Sequence, residues 1–232
     1  MKKNDIITAI KKNKDKKMKI NLNEIYAKLE AWRDERKITA QSQKEGYLVN
    51  VMEELGELAG ALRCYEQIKE FLNKNKGKMC GYQYHKHSLM LIEAEHGIID
   101  ALCDIAIFTI NAGADSNYKP QTLDTYEKDE IITRDVNYRL KNLLTDCGAF
   151  NIHSCYCGGD LLDILTDCAK LCEHYGFNFE IAMRETIKEI SSRTGSYDEK
   201  AKKWVKDTSD EARKKWYRAN YELARIEKEK TN

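Results

Sequence analysis

Residues 93–111, which read EAEHGIIDALCDIAIFTIN, contain the strongest structural signal in this chain of 232 residues. Between Ile98 and Ile110 the only polar residues are Asp100, Asp104 and Thr109. A helix that is apolar on almost every side is a buried helix. The stretch therefore predicts a buried helix, and we expect it to cover residues 86–114.

The polar residues of this stretch lie on one side of the predicted helix. At about 100° per residue they fall within an arc of about 80°; they are Glu93, His96, Asp100, Asp104 and Asn111. Two buried aspartates are costly in free energy unless they are paired or bind a metal ion. A structural ion pair with a neighbouring helix is the alternative to a metal site. A single histidine such as His96 is typical of a hydrogen-bonded core residue.

The composition favours long helices throughout the chain. Average usage would supply roughly a dozen prolines, yet Pro120 is the only one, and there are 12 glycines. Because proline is excluded from helix interiors and marks loops, we predict an all-α fold, a helical bundle with few turns. The first predicted helix begins near Asn21 and runs through Trp32. The other predicted helices cover residues 43–73, 86–114, 132–146, 159–175, 179–193 and 209–229.

The domain prediction is a basic, flexible tail at residues 1–20 followed by one domain at residues 21–232. The tail has eight lysines and two aspartates. Within the domain, the interruption around Pro120 separates a carboxylate-bearing half, residues 21–115, from a basic half, residues 121–232.

The overall charge and hydropathy narrow the function classes. With 39 Lys and Arg against 38 Asp and Glu, the net charge is +1, which gives no general attraction to nucleic acid or membranes. No stretch approaches the roughly 18 apolar residues of a membrane span, and the N-terminus does not resemble a signal peptide. We therefore expect a cytoplasmic protein with no membrane partner.

The eight cysteines are expected to be free thiols in a reducing compartment. Cys168 and Cys172 are four residues apart on a predicted helix and are typical of core positions. One group has the residue types of a zinc site, with unligated thiols as the alternative; its members are Cys147, His153, Cys155 and Cys157.

A second stretch, VNVMEELGELAGAL at residues 49–62, combines an apolar helix face with Glu53, Glu54 and Glu57. By itself it would predict the solvated side of an amphipathic helix. A Glu-x-x-Glu pair that faces Asp100 and Asp104 would supply four carboxylate ligands. Hard oxygen ligands suit Mg²⁺, and the sequence therefore indicates a metal site between facing helices.

These two stretches resemble the all-α nucleoside triphosphate pyrophosphatases, which are the MazG-like proteins and the dimeric dUTPases. The signature of that family is E-E-x-x-E, a spacer, and then E-x-x-D. Glu53, Glu54 and Glu57 match its first half, and Asp104 matches its last residue. The resemblance implies the MazG-like type of bundle and at least a homodimer.

The chain departs from the signature at two points. The residue three positions before Asp104 is Ala101 instead of Glu. Asp100 is the first candidate for the missing ligand, and Glu93 is the second. Residues 64–88 also lengthen the spacer and look like an insertion.

The resemblance implies Mg²⁺-dependent hydrolysis of a (deoxy)nucleoside triphosphate to the monophosphate and pyrophosphate, with Mn²⁺ as a substitute in vitro. Glu54, Glu57, Asp100 and Asp104 would hold the metal. Glu53 or Glu57 would act as general base, so that the catalytic set is Glu53, Glu54 and Glu57.

Basic residues in the second half are the candidates to bind the triphosphate, since the chain has no P-loop motif. Residues 176–197 resemble the C-terminal part of the longer family members, which places Lys188, Arg193 and either Lys200 or Lys203 near the phosphates. Solvated basic residues are the alternative. Asn50 and Asn111 are candidates for sugar or base contacts, or for hydrogen bonding to the carboxylates.

Two other functions stay open at this point. One is a member of the same superfamily that is specific for dUTP. The other is a helical module that binds nucleic acid or another macromolecule without catalysis, and the near-zero net charge argues against nucleic acid. Its candidate surface combines the lysine-rich tail with four aromatic residues, namely Trp204, Trp216, Tyr217 and Tyr221.

Overall fold

The computed structural model describes residues 19–116, 119–124, 136–152, 158–200 and 203–227. Helices dominate this part of the chain, which confirms the predicted all-α class at that level. Six helices have 13 residues or more, and they are α1 (Asn23–Glu35), α2 (Ala40–Lys74), α3 (Gly81–Ala112), α4 (Val136–Ile152), α5 (Gly158–His174) and α6 (Phe179–Ser192).

Helices α2 and α3 form a long helical hairpin. Thr39 caps α2, because its side chain accepts a hydrogen bond of 3.1 Å from the Ser42 backbone N–H, as N-cap residues do. The two helices pack more extensively against each other than any other pair of elements does in the described residues. They approach closely at Gly97, where a Cβ atom would lie 3.3 Å from Ala61 Cβ.

The second half of α3 lies at the centre of the core, as predicted. It packs against α2, α5 and α6 and touches α1. Apolar residues on nearly all of its sides are buried, and they include Ile98, Ile99, Ala101, Leu102, Cys103, Ile105 and Ala106. Cys168 and Cys172 on α5 are fully buried too, which confirms their predicted core positions.

Among the residues that the structure describes, two short antiparallel ladders accompany the helices, and the sequence did not predict them. Strand β1 (Lys19–Asn21) pairs with β2 (Thr122–Asp124), and β3 (Gly195–Asp198) pairs with β4 (Lys203–Lys206). Because β1 occupies Lys19–Asn21, the first helix begins two residues later than expected. Residues 1–18 of the predicted basic tail lie outside the described residues.

The predicted helix over residues 209–229 is wrong. Up to residue 227, where the described part of the chain ends, the segment forms only α7 (Asp210–Arg213) and a 3₁₀ turn (Tyr221–Ala224). The backbone N–H groups of Ala219 and Asn220 donate to side-chain carboxylates of α6, at 2.8 Å to Glu189 and 3.1 Å to Glu185. These bonds to a neighbouring helix replace the bonds that a continuous helix would form within itself. We call residues 216–226 the C-terminal strap.

In the described ranges, no helix combines the length and the apolar character needed to cross a membrane. Of the predicted zinc group, Cys147 is buried on α4. Its other three members, His153, Cys155 and Cys157, lie outside the described residues.

Candidate functional site

The centre of the candidate site is a group of carboxylates on facing sides of α2 and α3. Asp100 and Asp104 lie one turn apart on α3, and Glu54 on α2 lies close enough to both to interact with their charges. Burial, together with the charges of Asp100 and Glu54, raises the pKa of Asp104 well above its ordinary value. Burial and the nearby charges of Glu57 and Asp100 raise the pKa of Glu54 to about 7.

The other predicted carboxylates lie at the edge of this group. Glu53 and Glu57 are exposed on α2, and the negative charges of both raise the pKa of Glu54. Glu93, the second candidate for the missing ligand, is exposed on α3. Asp100 therefore supplies the second carboxylate of α3 beside Asp104.

Tyr221 of the C-terminal strap holds Asp100 in place. Its hydroxyl donates to Asp100 Oδ1 at 2.5 Å and also lies 2.9 Å from Thr186 Oγ1 on α6. Burial raises the pKa of Asp100, and the hydrogen bond from Tyr221 opposes that rise. Because Tyr221 is 121 residues away along the chain, no local sequence pattern could have identified this contact.

Arg193, one of the candidates to bind the triphosphate, brings positive charge to the carboxylates. It follows α6 directly, its Nη2 donates to Glu189 Oε1 at 3.0 Å, and its charge lowers the pKa of Asp100, Asp104 and Glu54. Its Nε atom is buried without a hydrogen-bond partner in the described part of the chain.

Lys206 on β4 is a second cation here that sequence reasoning missed. Burial and the positive charges of Arg193 and Arg213 lower its pKa, while the charges of Glu189 and Asp104 act in the opposite direction. Its Nζ lies 4.6 Å from the centre of the Trp216 ring. The β3–β4 hairpin therefore places a second cation among the charges of the site.

The other basic residues predicted to bind phosphate are Lys188, Lys200 and Lys203, and of these Lys188 and Lys200 show no such interaction with the site carboxylates in the described part of the chain. Lys188 forms an ion pair with Glu185 on the same helix, and its side chain is 54% exposed. The Lys203 side chain lies outside the described residues, and its backbone pairs with Asp198. Lys200 is exposed beside the same hairpin, and its backbone N–H donates to Asp198 Oδ1 at 2.8 Å.

The two asparagine candidates differ in accessibility. Asn111 is buried, and its Oδ1 accepts a 2.6 Å hydrogen bond from Arg33 Nη1. It therefore links α3 to α1, and as placed it does not face a ligand. Asn50 is half-buried on α2, one turn beyond Gly46.

The four aromatic residues considered for a nucleic-acid surface are engaged within the fold. Trp204 lies under the Arg36 guanidinium at 5.2 Å, and Trp216 lies near Lys206. The Tyr217 hydroxyl donates a hydrogen bond to Glu185, and the Tyr221 hydroxyl donates one to Asp100. These rings therefore do not form an open stacking surface.

The oxygen atoms of this carboxylate cluster are suitable ligands for a hard divalent cation, which prefers oxygen. Like charges held close together also raise one another's pKa, and a cation relieves that repulsion. Within the described ranges, however, no three or more His, Cys, Asp or Glu side chains are arranged so as to hold a metal ion.

Comparisons with protein-family models, with curated proteins and with solved structures found no match to this chain. The resemblance to the all-α pyrophosphatases therefore depends on the sequence of residues 53–62 and 104–108 alone.

Proposed function

We propose that this protein is a Mg²⁺-dependent hydrolase that cleaves a (deoxy)nucleoside triphosphate to the monophosphate and pyrophosphate. One observation supports the proposal most strongly. Glu54, Asp100 and Asp104 come from two facing helices, and burial raises the pKa of all three. The charge of Asp100 also raises the pKa of Glu54 and of Asp104, and the charge of Glu54 raises that of Asp104. Arg193 and Lys206 lie close enough to interact with these carboxylates. Carboxylates for a metal beside cations for phosphates are what phosphoryl chemistry requires in the absence of a P-loop.

The residues that would hold the metal are Glu54, Glu57, Asp100 and Asp104. Since they do not form a closed ligand set, the longer Glu side chains on α2 would have to turn towards the aspartates of α3. When bound, Mg²⁺ neutralises charge on the phosphates and lowers the pKa of a coordinated water.

The protein's own side chains perform the remaining steps. Glu53 or Glu57, both exposed on α2, would accept a proton from the attacking water as general base. Tyr221 keeps Asp100 oriented through its hydroxyl. Arg193 and Lys206 would bind phosphate oxygens. Burial and the positive charge of Arg193 lower the pKa of Lys206, and a bound anion would offset that repulsion.

A turnover assay tests this proposal directly. The protein is incubated with each dNTP, including dUTP, in the presence of Mg²⁺ or Mn²⁺, and the products are separated. We expect the monophosphate and pyrophosphate. A diphosphate with free phosphate, or no turnover of any nucleotide, would refute the proposal. Turnover of dUTP alone would identify the dUTP-specific alternative.

Two variants then locate the site. Asp104→Asn and Glu54→Gln should abolish turnover while the helical circular dichroism spectrum is unchanged. Glu45→Gln is the matched control, because Glu45 is exposed on the same helix and should tolerate the change. Full activity in either site variant would show that the metal site lies elsewhere.

We also propose that the protein forms a homodimer or a larger homo-oligomer. Val49 and Met52 on α2 are each 63% exposed, next to the carboxylate positions of the same helix. Their exposure provides apolar surface for a second copy. Light scattering coupled to size exclusion should give at least twice the 26.9 kDa mass of the chain.

A further inference from the structure

The end of the α2–α3 hairpin extends beyond the body of the protein. Ile68 is the last buried residue of α2, and Ala94 is the first buried residue of α3; between them no residue is buried. Tyr65 makes an edge contact with Tyr175 at 5.3 Å, which marks the level where the hairpin leaves α5. We call residues 69–92 the hairpin tip.

The hairpin tip keeps its shape through its own contacts. Phe71 on α2 and His87 on α3 stack with their ring centres 4.5 Å apart. At a rise of 1.5 Å per residue, the part of α3 that precedes Ala94 is about 20 Å long. An ordered projection of this length with no buried residue offers its surface to a partner.

The charge of the hairpin tip is strongly positive. It contains five lysines and one glutamate, with no aspartate or arginine. Lys74 pairs with Glu70 at 2.6 Å, and Lys69 lies 3.9 Å from Glu66. Lys76, Lys78 and Lys86 are exposed, and they form no ion pair with any described residue. The chain's net charge of +1 thus conceals a local basic surface.

Exposed aromatic rings lie among these lysines. Tyr82 is 77% exposed and Tyr84 is 54% exposed, both in the first turn of α3. Tyr82 and Lys86 are four residues apart, so they are neighbours on one face of the helix. Proteins that bind single strands stack bases on aromatic rings and contact the backbone phosphates with basic side chains.

We propose that the hairpin tip binds single-stranded nucleic acid. Tyr82 and Tyr84 would stack on bases, and Lys76, Lys78 and Lys86 would contact phosphates. A second copy of the chain fits this surface poorly, because head-to-head pairing would bring the two sets of lysines together. Duplexes fit less well, since their bases are already stacked and their faces are closed to the rings. This binding does not depend on the proposed hydrolase activity.

The test uses fluorescence anisotropy with labelled single-stranded DNA and RNA oligonucleotides of mixed sequence and a duplex control, at several KCl concentrations and in EDTA. We expect both single strands to bind more tightly than the duplex. The comparison of DNA with RNA shows which strand is preferred. Affinity should fall as salt rises, with a slope of roughly 0.7 per neutralised phosphate.

Two sets of substitutions separate stacking from charge. Tyr82→Ala with Tyr84→Ala should weaken binding at least about fivefold, the smaller end of the loss expected for a stacked base. Lys76→Ser, Lys78→Ser and Lys86→Ser together should reduce the salt slope by roughly 2. Since none of these residues is buried, the melting temperature and the dNTP turnover should be unchanged.

The matched control replaces three lysines of the N-terminal segment, Lys11→Ser, Lys12→Ser and Lys14→Ser, in the full chain. Tip substitutions that leave oligonucleotide binding intact while the control abolishes it would overturn the proposal. So would the absence of binding by the wild type, or tip variants that alter only the oligomeric mass. A failed turnover assay with intact oligonucleotide binding would refute the hydrolase proposal alone.

Discussion

The substitution Glu54→Gln should stabilise the metal-free protein at pH 8 while it abolishes nucleotide hydrolysis. Burial and the charges of neighbouring carboxylates raise the pKa of Glu54 from its ordinary 4.5 to about 7. At pH 8 the folded protein therefore contains an ionised carboxylate in a place that disfavours the charge. Glutamine keeps the size of the side chain and removes that charge.

The magnitude follows from the difference between the two pKa values. The rise from 4.5 to about 7 corresponds to roughly 3 kcal/mol of unfolding free energy. Glu54 is only half-buried, so solvent screening reduces the expected gain to about 1–2 kcal/mol.

The pH dependence has a definite sign. Because the pKa of Glu54 is higher in the folded than in the unfolded state, its ionisation lowers stability progressively as pH rises from about 4.5 to about 7. Below that window the carboxyl is protonated in both states, and the variant should gain almost nothing. Above it the full gain should be present.

The assay is urea denaturation in EDTA at pH 4 and pH 8, followed by circular dichroism, for the wild type, Glu54→Gln and the exposed control Glu45→Gln. The control should change by less than about 0.5 kcal/mol at either pH. If Glu54→Gln lowered the unfolding free energy at pH 8, or raised it equally at both pH values, Glu54 would not be repelled by neighbouring carboxylates.

Three further predictions concern the metal, the strap and the β3–β4 hairpin. At a Mg²⁺ concentration a hundred times its dissociation constant, the ion should stabilise the wild type by roughly 2.7 kcal/mol and so raise its melting temperature in a thermal shift assay. The melting temperature of Asp104→Asn should not change. Tyr221→Phe removes the hydrogen bond that lowers the pKa of Asp100. We therefore expect kcat to fall roughly tenfold and the acidic limb of the pH profile of kcat to move to higher pH. An unmoved limb would assign Tyr221 a purely structural role. Gly195→Ala would place a Cβ 2.3 Å from the Val205 carbonyl oxygen and should cost about 1–3 kcal/mol in denaturation experiments, whereas Ser196→Ala should be nearly neutral.

Local sequence patterns predicted the long helices well, because their apolar periodicity and their caps depend on neighbouring residues. The expected helix at residues 43–73 corresponds to α2 (Ala40–Lys74), and the one at residues 179–193 corresponds to α6 (Phe179–Ser192). Asn178 caps α6 by accepting from the Ile181 backbone N–H at 3.0 Å. The prediction failed at residues 209–229, where contacts with α6 override local helix propensity.

The sequence by itself determined that two helices bear the candidate carboxylates and that one of them is buried, since spacing and apolar content are local properties. It could not show that the Tyr221 hydroxyl donates a hydrogen bond to Asp100 or that Arg33 donates one to Asn111. Nor could it show that Lys206 lies close enough to Arg193 for their charges to interact. These contacts join residues 121, 78 and 13 positions apart. Even the short separation of Lys206 from Arg193 is bridged only by the pairing of β3 with β4, which sets Lys206 opposite Gly195. Tertiary packing alone decides them, because each depends on which surfaces the helices bury together.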